Sequence, residues 1–119
     1  MSSATTAAWL KHNHRHRERL TITGWRPGHR HAPDQFLVAR RQPDGALRHA
    51  GGVRFGLNGH ERDQLRAALQ RLEQPIRRHT GVRWVRPLLE VDVDSHGRPD
   101  GPLRDPVLRN VALARNPVV

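Results

Sequence analysis

Asn58-Gly59-His60-Glu61-Arg62-Asp63-Gln64-Leu65-Arg66-Ala67-Ala68-Leu69-Gln70-Arg71-Leu72 is the stretch that decides how this chain is built. Leu65, Ala68, Leu69 and Leu72 recur at three- and four-residue spacing, which puts them on one face of an α-helix. Asn58 can cap the first turn, and Glu61 stands three residues on, as a capping box requires. Pro75 stops the helix, because it has no amide hydrogen and its ring clashes with the preceding turn. Arg62, Asp63 and Arg66 fall on the opposite face, which reads as solvated surface.

On both sides of this helix the apolar residues alternate, as in strands. Upstream, Leu20 to Thr23 is a first strand, ended by a turn at Gly24-Trp25-Arg26-Pro27-Gly28, with loop from His29 to Asp34. Gln35 to Arg40 is a second strand and Ala46 to Phe55 a third. Pro43-Asp44-Gly45 makes a hairpin turn between them, with Pro presetting φ and Gly taking the left-handed position. Gly51-Gly52 marks a bulge or bend in the third strand. Downstream, Arg77 to Arg83 is a basic loop. Val85 to Val93 is a fourth strand, with Leu89, Val91 and Val93 on one face and Glu90 and Asp92 on the other. Ser95 to Pro102 turns, and Val107 to Leu113 is a fifth strand with Val107, Val111 and Leu113 alternating inward. Three strands, one helix and two strands is the order of a mainly β, five-stranded oligonucleotide/oligosaccharide-binding (OB) barrel. An open α+β sheet under one covering helix is the competing architecture. The expected organisation is a flexible basic arm over 1–16, the OB domain over 17–115 and a frayed tail over 116–119.

The composition narrows the partners. The chain has 119 residues, of which 35% are hydrophobic and 4% aromatic, so its core must be small and aliphatic. It has no cysteine, which excludes disulfides, thiolate metal sites and cysteine nucleophiles. No run approaches the roughly 18 apolar residues of a membrane span. Met1 to Ala8 has neither a basic start nor an apolar core, so no secretory signal is read and the cytoplasm is the expected location. The net charge is +10 and the pI about 11.8, the electrostatic footprint of a polyanion binder. GC-rich coding explains the choice of twenty arginines over one lysine, but less well the 21 basic against 11 acidic residues. No basic amphipathic helix carries a large apolar face, so a membrane is not expected as partner.

Trp9-Leu10-Lys11, a basic stretch and a strand ending in Gly24-Trp25-Arg26-Pro27-Gly28 together resemble ATP-dependent DNA ligases of the bacterial end-joining type, at the junction into their C-terminal OB domain. Gly51-Gly52-Val53-Arg54-Phe55-Gly56-Leu57 is similar to the family's Val-Gly-Arg-Val-Gly-Thr-Gly-Phe strand. The leucine-rich helix follows in place, as does Trp84-Val85-Arg86-Pro87 before Leu89-Glu90-Val91-Asp92-Val93. Gly101-Pro102-Leu103-Arg104-Asp105-Pro106-Val107-Leu108 resembles a Gly-x-Leu-Arg-His-Pro-x-Phe block. The likeness runs from about Trp9 to Leu113. Each block is weak alone, and their order and spacing are the specific part.

The resemblance implies an OB domain lying across the minor groove of nicked duplex, next to a separate nucleotidyltransferase domain that carries the adenylated lysine of a Lys-x-Asp-Gly motif. Lys11 is followed by His12-Asn13 and matches instead the first lysine of the family's last catalytic-domain motif, Lys-x-Lys, whose second lysine is here Asn13. The family's final Arg-x-Asp-Lys motif falls near Val111 to Ala114, where the chain reads Val-Ala-Leu-Ala, unless Arg109 or Arg115 substitutes after a shift. The expectation is therefore a domain that does not ligate by itself and needs no cofactor, with ATP and Mg entering only through a separate nucleotidyltransferase acting in trans.

The candidate sites follow. Lys11 near the terminus is expected to contact phosphate, since a nucleophilic lysine needs burial or neighbouring cations to lower its pKa. His12, His14 and His16 would share a strand face, but the arginines between them repel a divalent metal. Glu90, Asp92 and Asp94 also share a face and could hold Mg²⁺; pairing with nearby arginines on an exposed sheet is the favoured alternative. Trp25 and Trp84 are expected in the core or at its rim, and five aromatics in all disfavour binding of a single strand by stacking. The expected DNA contacts are Lys11, Arg26, Arg30, Arg40, Arg41, Arg48, Arg54, Arg104 and Arg109, by arginine forks on phosphate. The leading expectation is a duplex-DNA-binding OB domain of repair and end joining. An RNA- or ribosome-binding OB module and a small metal-dependent phosphoryl-transfer enzyme are the alternatives.

Overall fold

The computed structural model describes residues 15–74 and 81–113, with side chains as far as Val111. Its strands are β1 (His16–Arg26), β2 (Gln35–Arg41), β3 (Leu47–Val53), β4 (Arg83–Trp84), β5 (Leu89–Ser95) and β6 (Val107–Leu113), and its helix is α1 (Gly59–Leu72). The sheet runs in the order β3-β2-β1-β5-β6, every neighbour antiparallel, and β4 pairs with β1 at Gly24 and Trp25. The helix sits between the third and fourth strands, as expected of an OB barrel. Among the described residues the barrel does not close by a ladder; one parallel bridge joins its ends, where the Leu108 amide donates to the Phe55 carbonyl at 2.8 Å.

Six strands appear where five were expected, because a two-residue β4 forms at Arg83 and Trp84, ahead of the expected fourth strand, whose ladder begins only at Leu89. Pro87 has no amide hydrogen to give a ladder, so the two-residue β4 ends before it and β5 starts after it. β1 is also far longer than Leu20 to Thr23. It starts inside the basic run and continues through Trp25 and Arg26, where a turn was expected. Two devices permit this. Arg17 and Arg19 stand opposite Asp94 and Asp92 in register, which cancels their charge. Thr23 is an extra residue between Ile22 and Gly24, and the bulge bends the strand around the barrel.

The hairpin turn lies where Pro43-Asp44-Gly45 placed it, with Gly45 at φ 90° and the Gln42 amide donating to the Ala46 carbonyl at 2.7 Å. The bulge expected near Gly51-Gly52 falls at the adjacent Ala50, opposite the step from Val38 to Ala39. In α1 the capping box is complete: the Glu61 amide donates to Asn58 Oδ1 at 2.8 Å, and the Asn58 amide donates to Glu61 Oε1 at 3.0 Å. The helix ends at Leu72; Pro75, its expected stop, lies outside the described residues.

Leu65 and Leu69 of α1 plug the barrel against Leu20, Ile22, Phe36, Val38, Val53, Val91, Val93 and Leu108, all buried. Leu108 fills the core in place of the expected Val107 and Val111. Arg109 is an extra residue between the pairs Val93–Leu108 and Asp92–Asn110, so the alternation changes phase within β6. The charged side of α1 is less solvated than its pattern implied. The Arg62 guanidinium lies 6.0 Å from the Phe36 ring centre, and that of Arg66 lies 5.8 Å from Trp25 and 3.4 Å from the buried Asp34 carboxylate. Asp34 in turn accepts from the Gly28 amide at 2.5 Å.

Candidate nucleic-acid interface

Side chains alternate across a strand, so residues between the core positions face outward, and the outer face of this sheet has two unlike halves. On the β1-β5-β6 half it is a ladder of ion pairs. Arg17 donates to both Asp94 oxygens at 2.7 and 3.2 Å, and Arg109 donates to the same carboxylate at 2.9 Å. Arg19 donates to both Asp92 oxygens at 2.9 and 3.3 Å, joined by the Asn110 amide at 3.0 Å. Glu90 lies 3.9 Å from Arg19. The hydrogen bonds from Arg17, then from Arg109, hold the Asp94 carboxyl well below the usual range; those from Arg19 and Asn110 do the same, less strongly, for Asp92.

These shifts fix the acid behaviour of the fold. A carboxyl whose pKa is lower folded than unfolded stabilises the fold above its unfolded pKa, near 3.9, and loses that contribution as pH falls below it. The melting temperature is expected to hold from pH 7 to 5 and fall below about pH 4. Asp94→Asn should cost about 1–2 kcal/mol at pH 7, at the low end for charge-assisted bonds because its arginine partners are half exposed. The gap between the variant and the parent should narrow steadily as pH falls below 4 toward the depressed folded-state pKa. A gap at pH 2 as wide as at pH 7 would contradict the ladder's role.

Glu90, Asp92 and Asp94 thus share a face as expected, but arginine groups take up their oxygens. No group of three metal-ligating side chains occurs among the described residues. Of the histidine trio, His12 and His14 lie outside those residues, and His16 in β1 sits 3.9 Å from Glu18.

The β1-β2-β3-β4 half of the outer face is a groove of about 420 Å³. Its lining is apolar at Leu37, Ala39, Leu47, Val82 and Trp84 and polar at Thr23, His49 and Arg26. Leu37 and Ala39 are recessed, at 8% and 2% exposure. Trp84 lies against the bare backbone of Gly24: a Cβ there would meet the ring at 3.0 Å. Trp25, by contrast, is a core residue, 1% exposed and stacked on Phe36 with ring centres 6.4 Å apart.

The arginines singled out from sequence fall into distinct settings. Arg26 is exposed at the groove. Arg41 is exposed one strand away, opposite Leu47, and donates to the Gly45 carbonyl at 2.9 Å. Arg30, Arg48 and Arg104 are exposed at a turn, on β3 and in the β5–β6 connection. Arg54 reaches the Pro33 carbonyl at 3.4 Å. Arg40 is not on the open surface: Glu18 holds it by two hydrogen bonds, and it also donates to the Gly101 carbonyl at 3.2 Å. Arg109 is engaged by Asp94, and Lys11 lies outside the described residues. Leu37, Leu47, His49 and the groove itself were missed. The unbroken apolar run Phe36-Leu37-Val38-Ala39 carries their signal, since a strand covered on both faces loses its alternation.

An antiparallel sheet curled around a helix between its third and fourth strands defines an OB-like domain. The family model of the ATP dependent DNA ligase C terminal region matches residues 29–112, well over half of the chain, and the chain belongs to that family. Two solved structures are similar. The ligase domain of M. tuberculosis LigD is 27% identical with a TM-score of 0.69, over 83% of this chain and 36% of that one. The mycobacterial DNA ligase D complexed with ATP and MES is 26% identical with a TM-score of 0.64, over 86% and 36% respectively. The chain therefore spans little more than a third of either structure. No curated protein matches it in sequence.

Proposed function

We propose that this domain binds the backbone of duplex DNA, nicked duplex included, in repair and end joining in the cytoplasm. The distribution of charge supports this reading. The acidic residues of the sheet are spent on the ladder and on Arg40, while Arg26, Arg30, Arg41, Arg48 and Arg104 have no carboxylate partner among the described residues. The likeness to ligase domains favours DNA as the polyanion. With a single lysine and no Lys-x-Asp-Gly motif, these residues do not seal a nick by themselves. A separate nucleotidyltransferase domain, in trans, supplies ATP, Mg and the adenylated lysine.

Affinity for nicked duplex, single strand and structured RNA, measured between 50 and 200 mM salt, tests the proposal. Duplex is expected to bind tightest, with the logarithm of affinity falling linearly in the logarithm of salt. Replacing Arg26 and Arg41 together by Ala should reduce that slope by about 2, one for each phosphate no longer neutralised. RNA bound as tightly as duplex would overturn the proposal in favour of an RNA-binding module.

A further inference from the structure

We infer that the groove between β1, β2, β3 and β4 takes one unpaired nucleotide of bound DNA, its base on Trp84 and its phosphate on Arg26. This rests on the DNA-binding reading and specifies one site within it.

Four features point to that occupant. The lining is mainly apolar on the outer face of the sheet, where a polar surface is the rule for a half-solvated antiparallel sheet. Its volume, about 420 Å³, lies within the range of small-ligand sites. Trp84 is positioned in advance: Gly24 leaves room for the ring beside the backbone of β1, with Val82 next to it, and Trp84 lines the groove. A ring fixed in this way loses little freedom when a base stacks on it. The polar groups suit a nucleotide, with Thr23 and His49 offering hydrogen bonds and no carboxylate lining the groove.

Charge separates this occupant from an apolar side chain of a protein partner. Arg26 brings a guanidinium group to the apolar groove, and Arg41 stands opposite Leu47 one strand away, with its own group on the Gly45 carbonyl. Such an arrangement matches a base next to its phosphates. A base paired within the duplex has both faces covered by its neighbours in the stack, so there an unpaired base is the one that can reach Trp84. The scarcity of aromatics disfavours stacking along a strand, but a single base requires a single ring.

Anisotropy titrations with three nicked duplexes test this: one with an unpaired adenine at the nick, one with an abasic residue at the same place, and one fully paired. The parent protein is expected to bind the adenine duplex about 10-fold tighter than the abasic one. Trp84→Leu should abolish that difference and Trp84→Phe keep most of it, with affinity for the paired duplex unchanged in both. Equal binding of the adenine and abasic duplexes by the parent would overturn the inference and leave duplex binding intact. Binding to none of the three at low salt would overturn the DNA-binding reading itself.

Discussion

Gly56→Ala is expected to open the barrel and cost more than about 3 kcal/mol. Gly56 has φ 122°, a conformation that L side chains rarely adopt, and the strain alone is worth roughly 1–3 kcal/mol. Space makes matters worse. A Cβ would overlap the Leu108 carbonyl oxygen and lie 2.6 Å from its amide nitrogen, both backbone atoms that cannot swing aside. Leu108 is the residue whose amide bonds to Phe55, so the added methyl presses on the seam that joins the two ends of the sheet. Urea unfolding should register the loss directly. Gly59→Ala is the matched control, because a Cβ there meets nothing within 4 Å. It should leave stability unchanged or raise it by up to about 1 kcal/mol, because Ala narrows the freedom of the unfolded chain. A Gly56→Ala variant within about 1 kcal/mol of the parent would mean that the seam contributes little.

Trp25→Ala is expected to cost about 3–5 kcal/mol, the range for removing a large buried aromatic. Small domains hold only about 5–15 kcal/mol in all, so the variant should unfold at markedly lower denaturant or temperature. Trp25 is 1% exposed, stacks on Phe36 and lies under two guanidinium groups, Arg66 at 5.8 Å and Arg83 at 5.7 Å. Its loss would remove one wall of the core and the surface on which α1 and β4 both rest. Trp25→Phe should be far milder. The indole Nε1 is buried and finds no acceptor among the described residues. Phenylalanine removes that unpaired donor, whose burial costs about 1–3 kcal/mol, and so offsets part of the volume lost. If Trp25→Phe were as damaging as Trp25→Ala, the indole nitrogen would have a partner.

The order of elements was legible in the sequence because its signals are local. The cap at Asn58, the spacing of Leu65 and Leu69, the turn at Gly45 and the alternation of Leu89, Val91 and Val93 each depend on a few adjacent residues. What was not legible depends on partners far along the chain. Arg17 and Arg19 look like part of a basic arm until Asp94 and Asp92 come opposite them. Arg40 looks like a phosphate contact until Glu18 and Gly101 are brought beside it. The two bulges at Thr23 and Arg109 change which residues face inward, and no local pattern announces them. For the candidate site, Arg26 and Arg41 could be named from the sequence. That Arg26 lines an apolar groove, with Arg41 one strand away, depends on how the sheet curls.

The central place of β1 has a consequence for the order in which the molecule can be made. Arg17 meets Asp94 77 residues later, and Arg19 meets Asp92 73 residues later. Contacts at such separation are slow to form, since a long loop must close before they reward it. A nascent chain can pair β1 with β2 and β2 with β3 early, but the other edge of β1 stays bare until β4 and β5 have been synthesised. For that interval the half-built protein carries two arginines without their carboxylates and an open strand edge, the features on which unwanted association feeds.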